Sequence, residues 1–143
     1  NIARIRFRQS KEFIKFCIVG LSGVFVNLGT YLALTRMAGW RLEFASPAAI
    51  ELSILSNFVL NSLWTFRDRN TNGSWLSRLL RFHLVASAGG VTTYLVLLGL
   101  VRGFGMWDVL ANLFGIAVGT VVNYSMNSLW TWKKIEDETS ASG

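Results

Sequence analysis

Hydrophobic residues along this chain fall into four long blocks separated by short charged stretches, and no block alternates apolar with polar positions. Residues 16–35, between Lys15 and Arg36, make 20 positions without a formal charge. Residues 82–101 make another 20, with His83 near their start, and residues 109–132 make 24. The second block, residues 44–66, is 23 long and is interrupted only by Glu51. A bilayer core of about 30 Å takes roughly 20 helical residues to cross, so each block is long enough. Strands of a membrane barrel would alternate with period two, which these blocks do not do. The pattern predicts an all-α membrane protein with four transmembrane helices, over Phe16–Thr35, Ala45–Trp64, Phe82–Val101 and Val109–Trp130. Ser46–Pro47 reads as the cap and first residue of the second helix, and Asp108 as a cap for the fourth. Gly39 and Gly105 mark the turns within each pair of helices.

Composition sharpens this picture. Of 143 residues, 52% are hydrophobic and 15% charged, where a soluble domain carries about a quarter charged residues. Too little hydrophilic chain remains to coat a soluble bundle. The basic residues are distributed unevenly. Eleven of the 14 Lys and Arg lie before residue 16, in the central loop or after residue 132; only Arg36, Arg41 and Arg102 lie in the other two loops. Basic residues near span ends stay on the cytoplasmic side, so both termini and the central loop are expected inside. The run Glu136–Asp137–Glu138 has little weight in that rule. The net charge of +6 then acts on anionic headgroups, not on nucleic acid, since no folded basic face lies beyond the membrane edge. Cys17 is alone, which excludes an intramolecular disulfide. The first block is too long for a cleavable signal peptide, and no small-residue cleavage site follows it.

Shifting the chain against itself by 66 residues aligns Phe13–Arg67 with Leu79–Lys133 without a gap. Asn57-Phe-Val-Leu-Asn61-Ser-Leu-Trp64-Thr-Phe-Arg67 falls on Asn123-Tyr-Ser-Met-Asn127-Ser-Leu-Trp130-Thr-Trp-Lys133. Phe16/Phe82, Val19/Val85, Gly23/Gly89 and Gly39/Gly105 also coincide. Each copy crosses twice and enters from the same side, so the expected arrangement is two parallel tandem helical hairpins, N-in and C-in, unlike inverted transporter repeats. The expected organisation is a basic juxtamembrane arm (1–15), a four-helix membrane domain (16–134, repeats 13–67 and 79–133) and an acidic, polar tail (135–143).

Candidate chemistry concentrates at the ends of the second and fourth helices. At 100° per residue, Ser53, Asn57, Asn61 and Trp64 share one stripe, repeated by Gly119, Asn123, Asn127 and Trp130. Ala49–Ser53 and Gly115–Gly119 extend it with small residues that let backbones approach. The Asn amides either hold helices together or contact a phosphate or sugar headgroup. Trp64 and Trp130 with Arg67 and Lys133 read as an interfacial belt with snorkelling anchors, or as a clamp on a lipid phosphate. Glu51 is the one acid within a block, and its repeat partner is Ala117. A carboxylate in hydrocarbon is costly, which makes Glu51 a candidate for gating or proton-linked work, with Arg41 a possible neighbour. Asn27, midway along the first helix, and Thr92 and Thr93 in the third read as helix glue or as lining for a polar cargo. His83 stands alone beside Arg81. The chain shows no metal-ligand spacing, no nucleophile–base set and no phosphate-cradling glycine loop, so no catalytic residue, metal or cofactor is expected.

Phe16-x3-Gly20-x2-Gly23 and Asn57-x3-Asn61-x2-Trp64-Thr-Phe resemble the GtrA-like family of small four-span membrane proteins, over roughly Phe13 to Lys134. The family pattern has Arg directly after the second Asn, where this chain has Ser62 and Ser128. The resemblance implies a multi-pass protein of the inner (cytoplasmic) membrane that serves cell-surface polysaccharide or glycoconjugate synthesis. Translocation of a polyprenyl-phosphate-linked sugar is the leading expectation. In that case Asn57, Asn61, Asn123, Asn127, Arg67, Lys133, Trp64 and Trp130 bind the sugar phosphate, and Glu51 and Asn27 gate it. The alternative is a non-transporting anchor or partner of a glycosyltransferase, since related domains occur fused behind enzymes similar to dolichol-phosphate mannose synthases. A third reading, a proton-coupled exporter, rests on size and on a membrane Glu alone. Expected partners are membrane lipids, the lipid-linked sugar and a glycosyltransferase; the residues leave a homo-oligomer open.

Overall fold

Ile2–Leu32 forms one unbroken helix, α1, in the computed structural model, which describes residues 2–69, 71 and 73–134. The basic arm expected as a segment of its own is therefore the opening of this helix. Nothing in residues 2–15 breaks helical geometry, since they contain neither Gly nor Pro. Arg8 Nε lies 3.5 Å from Glu12 Oε1 one turn on, and Lys11 Nζ stands 4.4 Å from the Phe7 ring centroid. Pairs four residues apart add a few tenths of a kcal/mol each, about 0.2–0.5. The 31 residues of α1 extend about 46 Å at 1.5 Å per residue, well beyond an apolar slab of about 30 Å. The acidic tail, 135–143, lies outside the described residues, as does Asn72 in the central loop.

Helix α1 passes into a π-helical turn at Ala33–Met37, and Gly39, at φ +68°, reverses the chain. Helix α2, Leu42–Leu60, starts four residues before the expected Ser46–Pro47 boundary. Arg41 is its extended N-cap, and the Arg41 carbonyl accepts from Phe44 N (3.1 Å) and Ala45 N (3.0 Å). Glu43 places negative charge in the first turn, where the helix dipole favours it. Pro47 lies inside the helix. The donor it lacks would have served only the first-turn carbonyl of Glu43, so the helix tolerates it. A second π turn, Asn61–Thr65, ends α2.

The second half repeats this plan. Helix α3, Trp75–Leu98, is capped by Ser74, whose Oγ accepts from Ser77 N at 3.1 Å. It ends in a π turn at Gly99–Gly103, and Gly105, at φ +63°, makes the reversal. Helix α4, Asp108–Met126, has Trp107 as its N-cap, so Asp108 is its first residue and not the expected cap; its Oδ1 accepts from Val109 N at 2.9 Å. The π turn Asn127–Thr131 closes it. Among the described residues there is no strand, only one antiparallel bridge between Thr71 and Lys134. The chain divides into two compact units, Asn1–Arg67 and Asp68–Gly143.

Each unit is a helical hairpin with a narrow interior. In the first, Phe16, Val19 and Gly23 of α1 are buried, with Ala45 and Ala49 of α2. In the second, Phe82, Val85 and Gly89 are buried, with Ala111, Gly115 and Gly119. Spacings of three and four residues put these positions on one face of each helix. The close approach between α3 and α4 requires glycine: a Cβ on Gly119 would stand 2.8 Å from the Gly89 carbonyl, and one on Gly115 2.6 Å from that of Thr93. In the first hairpin Ser53 takes the place of Gly119 and donates to the Gly23 carbonyl at 2.8 Å. The outward faces carry large apolar side chains such as Leu21, Phe25, Leu84 and Leu113, which suit hydrocarbon. Among the described residues, three helical stretches, Ile2–Met37, Trp75–Gly103 and Asp108–Thr131, are long and apolar enough to cross a membrane. Residues 42–65 are comparable in length, but Glu43, Pro47, Glu51 and Asn57 lower their apolarity.

Candidate functional site

At the end of each hairpin remote from its glycine turn, one arrangement of side chains occurs twice. In the first hairpin the Phe66 amide donates to the Asn61 carbonyl at 2.9 Å, five residues back, so the closing turn is wider than an α-turn. This brings Phe66 against Phe16, with ring centroids 6.3 Å apart. Asn61 is only 1% exposed, and its Oδ1 accepts from Thr65 Oγ1 at 2.7 Å. Trp64 faces outward, 43% exposed, with Lys15 Nζ 5.4 Å from its ring centroid. In the second hairpin the Trp132 amide donates to the Asn127 carbonyl at 2.9 Å, and Trp132 packs edge-on to Phe82 at 5.6 Å. Asn127 is 0% exposed and accepts from Thr131 Oγ1 at 2.7 Å. Trp130 is 42% exposed, with Arg81 Cζ 5.5 Å from its ring.

The stripe drawn at 100° per residue holds as far as Asn61 and Asn127 and breaks at the two tryptophans. Asn61 and Asn127 turn inward while Trp64 and Trp130 turn outward, because the π turn changes the angular step between them. The cations on the indoles are Lys15 and Arg81, both outside the set of residues expected at the site. A signal for them existed: 15 and 81 are 66 apart, the shift of the internal repeat. Arg67 and Lys133, expected to supply the charge, are exposed just beyond the buried Phe66 and Trp132.

The hairpins differ in how their polar atoms are satisfied. Asn123 Oδ1 accepts from Asn127 Nδ2 at 2.6 Å, whereas Asn57 Oδ1 is buried with no hydrogen-bond partner among the described residues. The Asn57 amide fills the notch at Gly23, where a Cβ would meet its Nδ2 at 2.6 Å. Ser62 Oγ is likewise buried without a partner. Its counterpart Ser128 meets Arg69: Nη2 donates to Ser128 Oγ at 2.9 Å, and Nη1 donates to the carbonyls of Ser128 (2.7 Å) and Trp132 (3.1 Å). A guanidinium thus caps the last carbonyls of the fourth helical segment, where the dipole favours a cation. It reaches the serine that stands where the related pattern has an Arg.

Of the remaining candidates, Glu51, Asn27, Thr92 and Thr93 lie apart from these ends, and His83 follows Phe82 at the second of them. Glu51 is exposed, and ten residues of helix, about 15 Å, separate it from Asn61. Arg41, its expected neighbour, instead has Nε 3.4 Å from Glu43 Oε2, an exposed pair of small energetic value. Asn27 is half-buried along α1. Thr92 and Thr93 donate to carbonyls of their own helix, those of Ala88 (2.8 Å) and Gly89 (3.0 Å), and His83 Nδ1 is 2.9 Å from the Leu79 carbonyl.

Residues 15–132 match the model of a family described as GtrA/DPMS, transmembrane domain. A dolichol-phosphate mannosyltransferase of Pyrococcus furiosus is 44% identical over 121 residues, a match that covers 85% of this chain and 34% of that protein. The uncharacterized membrane protein YwcD of Bacillus subtilis is 27% identical over 125 residues, covering 86% of this chain and 98% of that one. The chain thus spans about a third of the length of the first relative and nearly all of the second.

Proposed function

We infer the function from one premise: this chain belongs to the GtrA/DPMS transmembrane-domain family. On our reading it moves a polyprenyl-phosphate-linked sugar across the cytoplasmic membrane during synthesis of a cell-surface polysaccharide or glycoconjugate. All four helices cross the bilayer as two parallel hairpins, with the termini and the central loop on the cytoplasmic side. The observation that carries this reading is the pair of polar, aromatic ends on otherwise greasy hairpins, in a chain 44% identical to a protein named for acting on dolichol phosphate. A glycosyl phosphate cannot cross hydrocarbon unaided, and preplaced polar groups lower that barrier. The hairpin ends built on Asn57, Asn61, Asn123 and Asn127 present Trp64 and Trp130 to the headgroup, Arg67 and Lys133 attract it from the exposed rim, and Glu51 and Asn27 gate its passage.

A second reading, an anchor or partner for a glycosyltransferase, is favoured by coverage of only 34% of the Pyrococcus furiosus enzyme. Against it, the Bacillus subtilis relative is matched over 98% of its length, so a module of this size also exists apart from a fused enzyme. Reconstitution into liposomes with an isotopically labelled polyprenyl-phosphate sugar separates the two. Protein-dependent movement to the opposite leaflet is expected. Absence of movement together with tight co-purification of a glycosyltransferase would establish the anchor instead.

A further inference from the structure

The two hairpins repeat one electrostatic device at the same repeat positions. Lys15 sits over Trp64 at 5.4 Å and Arg81 over Trp130 at 5.5 Å. Among the described residues, neither cation has a carboxylate within ion-pair distance. An indole quadrupole attracts a cation electrostatically without cancelling its charge. A carboxylate would cancel it. The indoles are 43% and 42% exposed, so each side chain offers an open edge beside the fixed cation. Beside each indole a buried side-chain hydrogen bond ties the turn: Thr65 Oγ1 donates to Asn61 Oδ1 and Thr131 Oγ1 to Asn127 Oδ1, each at 2.7 Å. Indole rings and long cationic side chains settle at headgroup depth, where lipid phosphates are the available anions.

We propose that Lys15–Trp64 and Arg81–Trp130 are two equivalent phosphoryl-binding sites, one per hairpin, so that one chain holds two phosphate-bearing lipids at once. The charge partners are Lys15 and Arg81, not Arg67 and Lys133. This rests on the proposed function in one respect only, that the phosphoryl group is presented by a membrane lipid. Lys gives a point charge and Arg a planar fork, and either satisfies a phosphoryl oxygen.

The test is native mass spectrometry of the full chain in a neutral detergent, titrated with polyprenyl phosphate. Saturation at two lipids per chain is expected, falling to one in Lys15→Gln or in Arg81→Gln and to none in the double variant. The conservative variants Lys15→Arg and Arg81→Lys keep both. Polyprenol, which lacks the phosphate, should not bind in stoichiometric amounts. Competition identifies the source of the group: displacement by phosphatidylglycerol assigns general phospholipid sites, and displacement by inorganic phosphate would overturn presentation by a lipid. Two lipids retained in the double variant, or loss on Arg67→Gln and Lys133→Gln instead, would overturn the assignment. Translocation is scored separately. A parent protein that binds two lipids but moves none refutes transport and leaves the sites standing; one that moves lipid but binds fewer than two does the reverse.

Discussion

Single atoms decide what several residues of this chain do. At Gly119 a methyl group has no room, since its carbon would stand 2.8 Å from the backbone carbonyl of Gly89, which cannot rotate away. At Gly90 the same methyl meets nothing within 4 Å. Gly119→Ala is expected to destabilise the second hairpin by about 1–3 kcal/mol through overpacking. Gly90→Ala should leave stability unchanged or raise it by about 0.5–1 kcal/mol, the helix-interior gain over glycine. Thermal melts of the two variants in one detergent compare them directly; equal melting temperatures would show that α3 and α4 do not approach through this stripe. Glu51 is another residue at which the repeats part, being aligned with Ala117 in the copy. Ala117 shows that packing at this position does not require a carboxylate. Glu51→Gln keeps shape and removes charge, so a gating role predicts slower sugar-lipid movement with near-parent stability. Transport at the parent rate in liposomes would remove Glu51 from the mechanism.

Among the elements, the π turns that close α2 and α4 have the largest consequence. Each widens the last turn, buries an Asn, turns a Trp outward and folds the next aromatic back onto the partner helix. Capping then distinguishes the two. The Arg69 guanidinium holds the carbonyls of Ser128 and Trp132, while the equivalent Ser62 Oγ has no partner among the described residues. Bonds from a charged donor contribute about 1.5–3 kcal/mol, less where water competes. Arg69→Met should therefore loosen residues 127–132 and leave 61–66 as they were. Backbone hydrogen exchange read segment by segment is the measurement. Equal loss of protection in both segments would mean that Arg69 acts globally and not as a cap on one helix.

At the scale of the whole molecule, the distribution of basic residues makes an orientation testable. In a Cys17→Ser background, membrane-impermeant thiol reagents added to intact cells should label cysteines placed beside Gly39 and Gly105 and should not label Asn72→Cys. External labelling of Asn72→Cys would reverse the assignment. Ionic strength gives a second check at this scale. Binding of polyprenyl phosphate should weaken as salt rises, because exposed charges are screened over about 10 Å at 0.1 M. Lys15→Gln with Arg81→Gln should flatten that dependence.

The helical class, the apolar blocks, the two glycine reversals and the internal duplication are all readable from the sequence. The reason is that each depends on quantities summed over many residues or on a single backbone requirement. Transfer of a twenty-residue block into hydrocarbon is insensitive to any one rotamer, and a left-handed φ selects glycine wherever it occurs. Boundaries were less legible. Charged residues 2–15 ended the apolar block but not the helix, because Arg, Lys and Glu propagate a helix as well as Leu does. Pro47 looked like a first residue, yet the helix starts at Leu42, where Arg41 and Glu43 already supply the first turn. The tertiary structure alone decided that Asn61 points in and Trp64 out, that Lys15 and Arg81 take the indoles, and that Arg69 reaches Ser128. One wider turn alters the helical phase of every side chain after it, and contacts between residues about fifty apart in sequence follow from that phase and not from composition.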